Sequence, residues 1–354
     1  MDASASVWPA ILDPDWTPPS GWNGPAAQAA ARRLADLVSP ALAGYFLEPV
    51  AERTGAAPLP AETIRQSRLL NRFAGGIQRK WAAEIADTGI SVVFLKGFVF
   101  AHTVYPDPDI RTIGDIDLLV RDRDLGALVA FLQERGFVFE DQPSAPWGFI
   151  SDASYQPLRS ADGHCYIDVH VQPDCYPAYR SLTADRLFAA SEVFMAGETA
   201  LAGPSPAHAL VLCLTNAAKD KFGPFSVRKM LDIAALLRAG VEIDWAEVAM
   251  LASAGHFAGP SRVAFALLIR LGLPANRIPH GLREPPRGLR AAVFEGLARD
   301  YRTLFWAEPG PLRVLARELC LCTEPDVALH NALLRARGLF APRRGRPPGH
   351  RADP

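Results

Sequence analysis

The segment from residue 90 to residue 173 constrains the fold most. Its strand-like runs are short and separated by helical ones, a pattern that builds a small sheet with helices between its strands. "ISVVFLKG" (90–97) is β-branched and apolar and ends in a Lys-Gly turn, and "FVFAHTVYP" (98–106) reads as a short helix stopped by Pro106. "DIDLLV" (115–120) is the second strand, "RDLGALVAFLQERGF" (123–137) an amphipathic helix closed at Gly136, and "FVFED" (137–141) opens a third strand. In "GHCYIDVHVQP" (163–173), Cys165, Ile167, Val169 and Val171 alternate with Tyr166, Asp168 and His170. That period of two marks a strand with one apolar and one polar face.

Helical patterns lie on both sides, so the expected class is α+β: a small mixed sheet with N-terminal helices and a C-terminal all-helical domain. Residues 1–25, rich in Pro, Trp and Gly, read as an extended arm, and 26–90 as helices. Within the latter, Ile64, Leu69, Phe73, Ile77, Trp81 and Ile85 recur at near-helical intervals and suggest one buried face. The α/β unit is expected over 91–200 and a helical domain over 201–340, with Ser205-Pro206 and Asp244-Trp245 as helix starts. The tail 341–354 carries four arginines among prolines and reads as disordered.

Composition narrows the partners. Lys plus Arg (37) almost equals Asp plus Glu (38), so no global field favours DNA or an anionic membrane, and no extended basic stripe favours RNA. No run is long and apolar enough to span a bilayer, and the first residues lack a basic leader followed by an apolar stretch. A cytoplasmic location is the expectation. The five scattered cysteines suit reduced thiols, and Cys320-x-Cys322 has no second pair or nearby His to complete a zinc site.

Asp115 and Asp117 leave the same face of their strand with Cβ atoms about 7 Å apart. Asp168 sits on the polar face of the later strand, and if the two strands are neighbours three carboxylates converge. Two carboxylates about 4 Å apart repel by about 4 kcal/mol at an effective dielectric near 20, so such a cluster calls for a cation. Hard oxygen donors on rigid strands suit Mg²⁺, and two such ions can clamp the attacking and leaving oxygens of a phosphoryl or nucleotidyl displacement. A lone D-x-D is also what a solvated strand end looks like. Here the strand–Lys96-Gly97–helix turn upstream adds backbone N–H groups and a point charge suited to phosphate.

The run "VVFLKG…VYPDPDIRTIGDIDLLVRDRDLGALVAFLQERGF", followed by "YIDVHVQP", resembles the nucleotidyltransferase (polymerase β-like) superfamily. More closely it resembles a bacterial group described as uncharacterised nucleotidyltransferases, with its L-K-G turn, an Arg before D-I-D, a helix ending in G-F or G-Y, and a later acidic-x-His strand. The resemblance covers roughly residues 60–255, including "VRKMLDIAALL…IDW". It implies an α/β palm on which Asp115, Asp117 and Asp168 bind metal and Asp168 orients or deprotonates the attacking hydroxyl. It also implies that Lys96 and Gly97 meet the phosphates of an NTP such as ATP. The superfamily at large has Gly-Ser or Gly-Gly at the turn where this chain has Lys96-Gly97-Phe98, and seventeen residues separate Gly97 from Asp115.

Supporting roles are expected for a few more side chains. Arg111 can bind phosphate, brace the carboxylates or form a structural ion pair. His170 can bond a carboxylate or a substrate hydroxyl. Lys219, Lys221, Arg228 and Lys229 are candidates for the triphosphate, as helical domains of this superfamily often lend such residues, or they form a solvated basic face. Asp232 can orient a lysine or form a surface ion pair. The implied reaction is Mg²⁺-dependent transfer of a nucleoside monophosphate to an acceptor with release of pyrophosphate. Small molecules, peptides or proteins, and tRNA, the target of toxin-like relatives, all remain open as acceptors. The alternative is an inactive module of the same fold that binds a nucleotide or peptide.

Overall fold

Strand β2 (Ile116–Val120) is buried along its whole length and anchors a five-stranded sheet. The computed structural model describes residues 6–13, 15–17, 25–54, 59–140, 154–324 and 327. The other strands are β1 (Val92–Leu95), β3 (Val138–Phe139), β4 (Leu158–Arg159) and β5 (Tyr166–His170), in the order β1-β2-β5-β4-β3. β2 runs antiparallel to β1 and parallel to β5. A parallel pair needs a crossover connection, and helix α6 (Asp122–Glu134) lies on that connection. It ends before Gly136, whose φ of 87° is left-handed and suits glycine.

The period of two sorts the central strands between two cores. Phe94, Ile116, Leu118, Val120, Ile167 and Val169 pack under α6 with Leu128 and Phe137. Val93, Leu95 and Leu119 face the other way and join the helical core. Asp117 and Leu119 therefore share a face, and the acidic side of the sheet looks toward the helices.

Those helices begin with α1 (Trp8–Leu12), α2 (Pro25–Val38), α3 (Pro40–Thr54), α4 (Ala61–Ala86) and α5 (Lys96–Thr103). After α7 (Ala184–Ala189) and an antiparallel hairpin, β6 (Glu192–Ala196) with β7 (Thr199–Gly203), come α8 (Pro206–Lys219) and α9 (Ser226–Arg238). The rest are α10 (Trp245–Ala254), α11 (Ala258–Leu271), α12 (Leu289–Arg302) and α13 (Pro311–Arg317). The anticipated caps are present: Ser205 accepts from the amide of His208, and Asp244 from that of Glu247. Nearly all of α8 is buried, so it serves as the axis of the helical half.

Three expectations need correction. Within the segment read as an extended arm, Trp8–Leu12 is helical and docked: Val7, Trp8 and Ile11 are fully buried, and Trp8 Nε1 donates to Tyr301 O at 2.7 Å. Hydrophobic burial outweighed the Pro-rich composition there. The hairpin β6–β7 falls where no strand was expected.

The row on α4 is the third. Leu69 and Phe73 are exposed, and the buried residues are Gly75, Gln78, Ala82 and Ile85. Steps of four residues advance about 400°, so from Leu69 to Ile85 the row creeps about 160° around the helix. Toward the C-terminal end, Ala82 and Ile85 enter the core under the sheet with Ile77 and Trp81 packed against it, while Asn71 and Gln78 pack through hydrogen bonds. Asn71 Nδ2 donates to Asp109 O at 2.8 Å, and Gln78 Nε2 donates to Ile113 O at 3.1 Å. Thr112 Oγ1 donates to Asn71 Oδ1 at 3.0 Å. α4 thus clamps the loop that leads into Asp115. The tail 341–354 lies outside the described residues.

Candidate active site

The parallel register places Asp117 directly beside Asp168 and Leu119 beside His170. Because β2 and β5 keep the same pleat, Asp117 and Asp168 leave the sheet on one face. His170 lies two residues beyond Asp168 on that face and is buried. Its Nε2 lies 2.9 Å from Asp117 Oδ1 and 3.3 Å from Asp168 Oδ2, and its Nδ1 lies 3.0 Å from Ser154 Oγ. Asp115, one residue before the strand begins, is exposed to the water of the cleft.

Lys96 enters from the end of β1. The register sets Leu95 opposite Asp117, so the next residue emerges at the carboxylates. Lys96 has a left-handed φ of 53°, which costs a residue with a Cβ and persists only where surrounding packing imposes it. Its Nζ hydrogen-bonds Asp117 Oδ1 and lies 3.2 Å from His170 Nε2. Gly97 follows because space is short: a Cβ there would come 3.3 Å from Arg111 Nη2.

Arg111 is fully committed. Its Nε donates to Asp232 Oδ1 at 2.9 Å, its Nη2 to Asp232 Oδ2 at 2.8 Å, and its Nη1 to Thr112 O. Tyr105 donates its hydroxyl to the same Asp232 Oδ1 at 2.8 Å. Arg111 and Asp232 are buried, so the surface ion pair suggested for Asp232 is corrected to an internal one between the sheet loop and α9. These bonds make Arg111 part of a structural ion pair and not a brace on the carboxylates of the acidic cluster.

The electrostatics of the carboxylates diverge. Burial would raise Asp117, but the Lys96 charge and the His170 bond overcome it and hold the carboxyl down at about 2. Asp115 has no such partner. Withdrawal from bulk water, then repulsion from Asp117, pushes it up to about 6 even though it borders the cleft. Lys96 is raised: burial opposes its charge, and Asp117, followed by Asp168 and Asp174, outweighs burial. His170 is also raised, burial again being overcome by its bonds to Asp117 and Asp168. Asp168 Oδ1 is buried with no hydrogen-bond partner, a costly state for a carboxylate oxygen.

These groups line a cleft of about 450 Å³. The sheet side supplies Lys96, Gly97, Arg111, Asp115, Asp117 and Asp168, and the helical side supplies Asn216, Phe225, Arg228 and Asp232. Of the basic candidates on α8 and just beyond it, neither Lys219 nor Lys221 lines this cleft. Lys219 is held charged against burial by Asp174 and Cys175, and Lys221 Nζ lies 3.7 Å from Glu318 Oε1.

Two contributors, Asp174 and Phe225, escaped the sequence reading. Asp174 is buried just past β5, where it accepts from Thr215 Oγ1 and, at 3.3 Å, from Asn216 Nδ2. It fastens the acidic strand to α8. Phe225, 85% exposed, stands at the start of α9 on the cleft wall. Arg228 and Lys229, two of the basic candidates, do line the cleft, and Arg228 has a buried Nε without a partner. Asp174 and Phe225 lie in loops without periodicity, where only tertiary contact reveals a role.

As a donor set, the oxygens of Asp117 and Asp168 and a nitrogen of His170 lie within 4.8 Å of one another, with Asp115 adjoining. Three carboxylates share one ammonium, and one buried oxygen is orphaned. That chemistry fits a divalent cation. A family model described as "uncharacterised nucleotidyltransferase" matches residues 18–271, a span that contains the sheet, the residues lining the cleft and helices α2 to α11. No curated protein matches the chain.

Proposed function

From a chain that belongs to the uncharacterised nucleotidyltransferase family, we propose an enzyme that transfers a nucleoside monophosphate from an NTP, with Mg²⁺, to an acceptor carrying a hydroxyl or phosphate. The palm, 91–200, carries the carboxylates and the helical domain, 201–340, closes the other wall, in the manner of the polymerase β-like superfamily. The observation that carries this reading is the β2–β5 register, which pairs Asp117 with Asp168 beside the Lys96-Gly97 turn.

Asp115, Asp117 and Asp168 would hold the metal, whose contribution is to neutralise charge on the phosphates and on the attacking and leaving oxygens. The chain's own groups do the rest. The start of α5 would offer the triphosphate its backbone N–H groups, and Lys96, bonded to Asp117 in this structure, would supply a point charge. Asp168 would take the acceptor's proton, a role supported by its unpaired Oδ1. The acceptor oxygen bonds to the α-phosphorus, the bond to the β-phosphate oxygen breaks, and pyrophosphate leaves. The Arg111–Asp232 pair fixes the two walls so that the reacting groups are held in line. Among the described residues no helix is long and apolar enough to cross a membrane.

The test is direct. Full-length protein is incubated with each α-labelled NTP, Mg²⁺ and fractions of a bacterial lysate, and label in a new covalent product is sought. Nucleotide-dependent labelling that disappears in Asp115→Ala supports the reading. Absence of label with every nucleotide, together with no thermal shift on adding Mg²⁺ and nucleotide, removes it.

A further inference from the structure

Lys96 is placed oddly for a residue whose task is to hold phosphate. Its ammonium does not point out along the axis of α5 but inward, onto the oxygen of Asp117 that also meets His170. Lys96 Nζ lies 3.2 Å from His170 Nε2, so it stands among the atoms of the metal-competent trio Asp117, Asp168 and His170. A strained backbone, φ 53°, aims it there. The side chain is about three-quarters buried, deeper than a phosphate contact at the mouth requires.

A divalent ion bound to Asp117 would lie within hydrogen-bond reach of this ammonium, on the same carboxylate. Two cations that close repel strongly, and Asp117 Oδ1 already has two partners. We propose that the Lys96 ammonium is a resident cation that occupies a divalent-ion position on Asp117 and is displaced when the metal-nucleotide enters, swinging on its flexible stem to the incoming phosphates. The inference rests on the metal-dependent reading above. In the empty site Lys96 keeps the carboxylates from repelling one another apart. In the loaded site it becomes a phosphate ligand, and its charge is used twice. A lysine suits this exchange better than an arginine, being a compact point charge on a rotatable chain with no fixed fork to its partner.

Mn²⁺ binding to the nucleotide-free full chain, read from the electron paramagnetic resonance signal of free Mn²⁺, tests it. Lys96→Met removes the charge, Lys96→Gly removes it and also suits the left-handed backbone, and Lys96→Arg keeps it. The expectation is Mn²⁺ binding at least tenfold tighter in the Met and Gly variants, with Arg close to wild type. Equal or weaker Mn²⁺ binding in both neutral variants overturns the proposal. Affinity for a non-hydrolysable nucleotide with Mn²⁺ should fall in the same two variants, and unchanged affinity overturns the swing to phosphate. If wild type and every variant fail to bind Mn²⁺ with or without nucleotide, the metal-dependent function itself falls, an outcome distinct from the first two.

Discussion

Across the cleft, from the loop ahead of β2 to α9, Arg111 meets Asp232 through two hydrogen bonds, and the Tyr105 hydroxyl and the Thr112 carbonyl take up further valences. Over β2 and β5, Asp115, Asp117 and Asp168 have the single ammonium of Lys96 among them, bonded to Asp117, and one carboxylate oxygen is buried without a partner. Both clusters lie within one cavity and use the same residue types. The first is balanced, one cation to one anion, with its geometry saturated. The second carries excess negative charge and open oxygens. A balanced internal pair holds parts together, while an unbalanced one is stable only in so far as something else will complete it. The difference separates brace from active centre more sharply than residue identity does.

The widest separation is expected in activity. Asp115→Ala should lower nucleotidyl transfer by on the order of 10³-fold, as loss of a preorganised charge aimed at the reacting groups does elsewhere. Metal-free stability of that variant, from urea unfolding, should hold or rise, because a repelling charge is gone. A strong loss of stability would place Asp115 in the brace category and break the comparison.

Asp232→Ala is the converse. It leaves the Arg111 guanidinium buried without its partner, which should cost about 3–5 kcal/mol of folding free energy. Urea unfolding would show it as a large drop in midpoint at unchanged slope. A loss below about 1 kcal/mol would mean that Arg111 finds water or another partner, and that it is freer to meet phosphate than its bonds indicate.

The two clusters were not equally legible in the amino-acid sequence. Asp115, Asp117 and Asp168 could be read because strand periodicity is two and apolar neighbours frame them, so each residue's face follows from its position. The brace could not be, since Arg111 and Asp232 lie far apart in the chain and meet only when α9 packs against the loop ahead of β2. Asp232 within "KMLDIAALL" looked like one polar residue on an amphipathic helix, and nothing local says that both sides of that helix are covered. The same limit explains α4. Ile77, Trp81 and Ile85 of the expected row do pack on the core, but Asn71 and Gln78 reach loop carbonyls, while Leu69 and Phe73 stay outside. Lys219 and Lys221 looked alike in sequence but end beside different acids, and neither borders the cavity.

A smaller effect checks whether the second cluster is indeed unfinished. With Mg²⁺ and nucleotide at about one hundred times their dissociation constant, the wild type should gain about 2.7 kcal/mol from mass action. The Asp115→Ala/Asp117→Ala protein should gain none, while Asp232→Ala, if folded, should keep a gain even from its lower baseline. A ligand-induced shift that survives loss of both aspartates would move the binding site elsewhere.

The finest test is the pH dependence of the metal-free protein. Asp115 is pushed up to about 6 in the folded chain and returns to about 3.9 on unfolding. Between those values the native state holds a proton that the unfolded state has released, so stability falls as pH rises through the window. This is opposite to the usual carboxylate, and opposite to Asp117, held down at about 2, whose contribution is present above about 3.9 and lost as pH falls toward 2. Asp115→Asn removes only the first effect. In EDTA, the variant should therefore be more stable than wild type at pH 7, and the gap should close as pH is lowered from about 6 to about 4. The guanidinium of Arg111 stays charged across that range, so a variant of the brace should run parallel to wild type there. The gap for Asp115→Asn should also vanish at pH 7 once saturating Mg²⁺ is present, because a bound cation removes the repulsion that raised the carboxyl. A gap that ignored both pH and Mg²⁺ would mean that Asp115 is an ordinary solvated residue at a strand end.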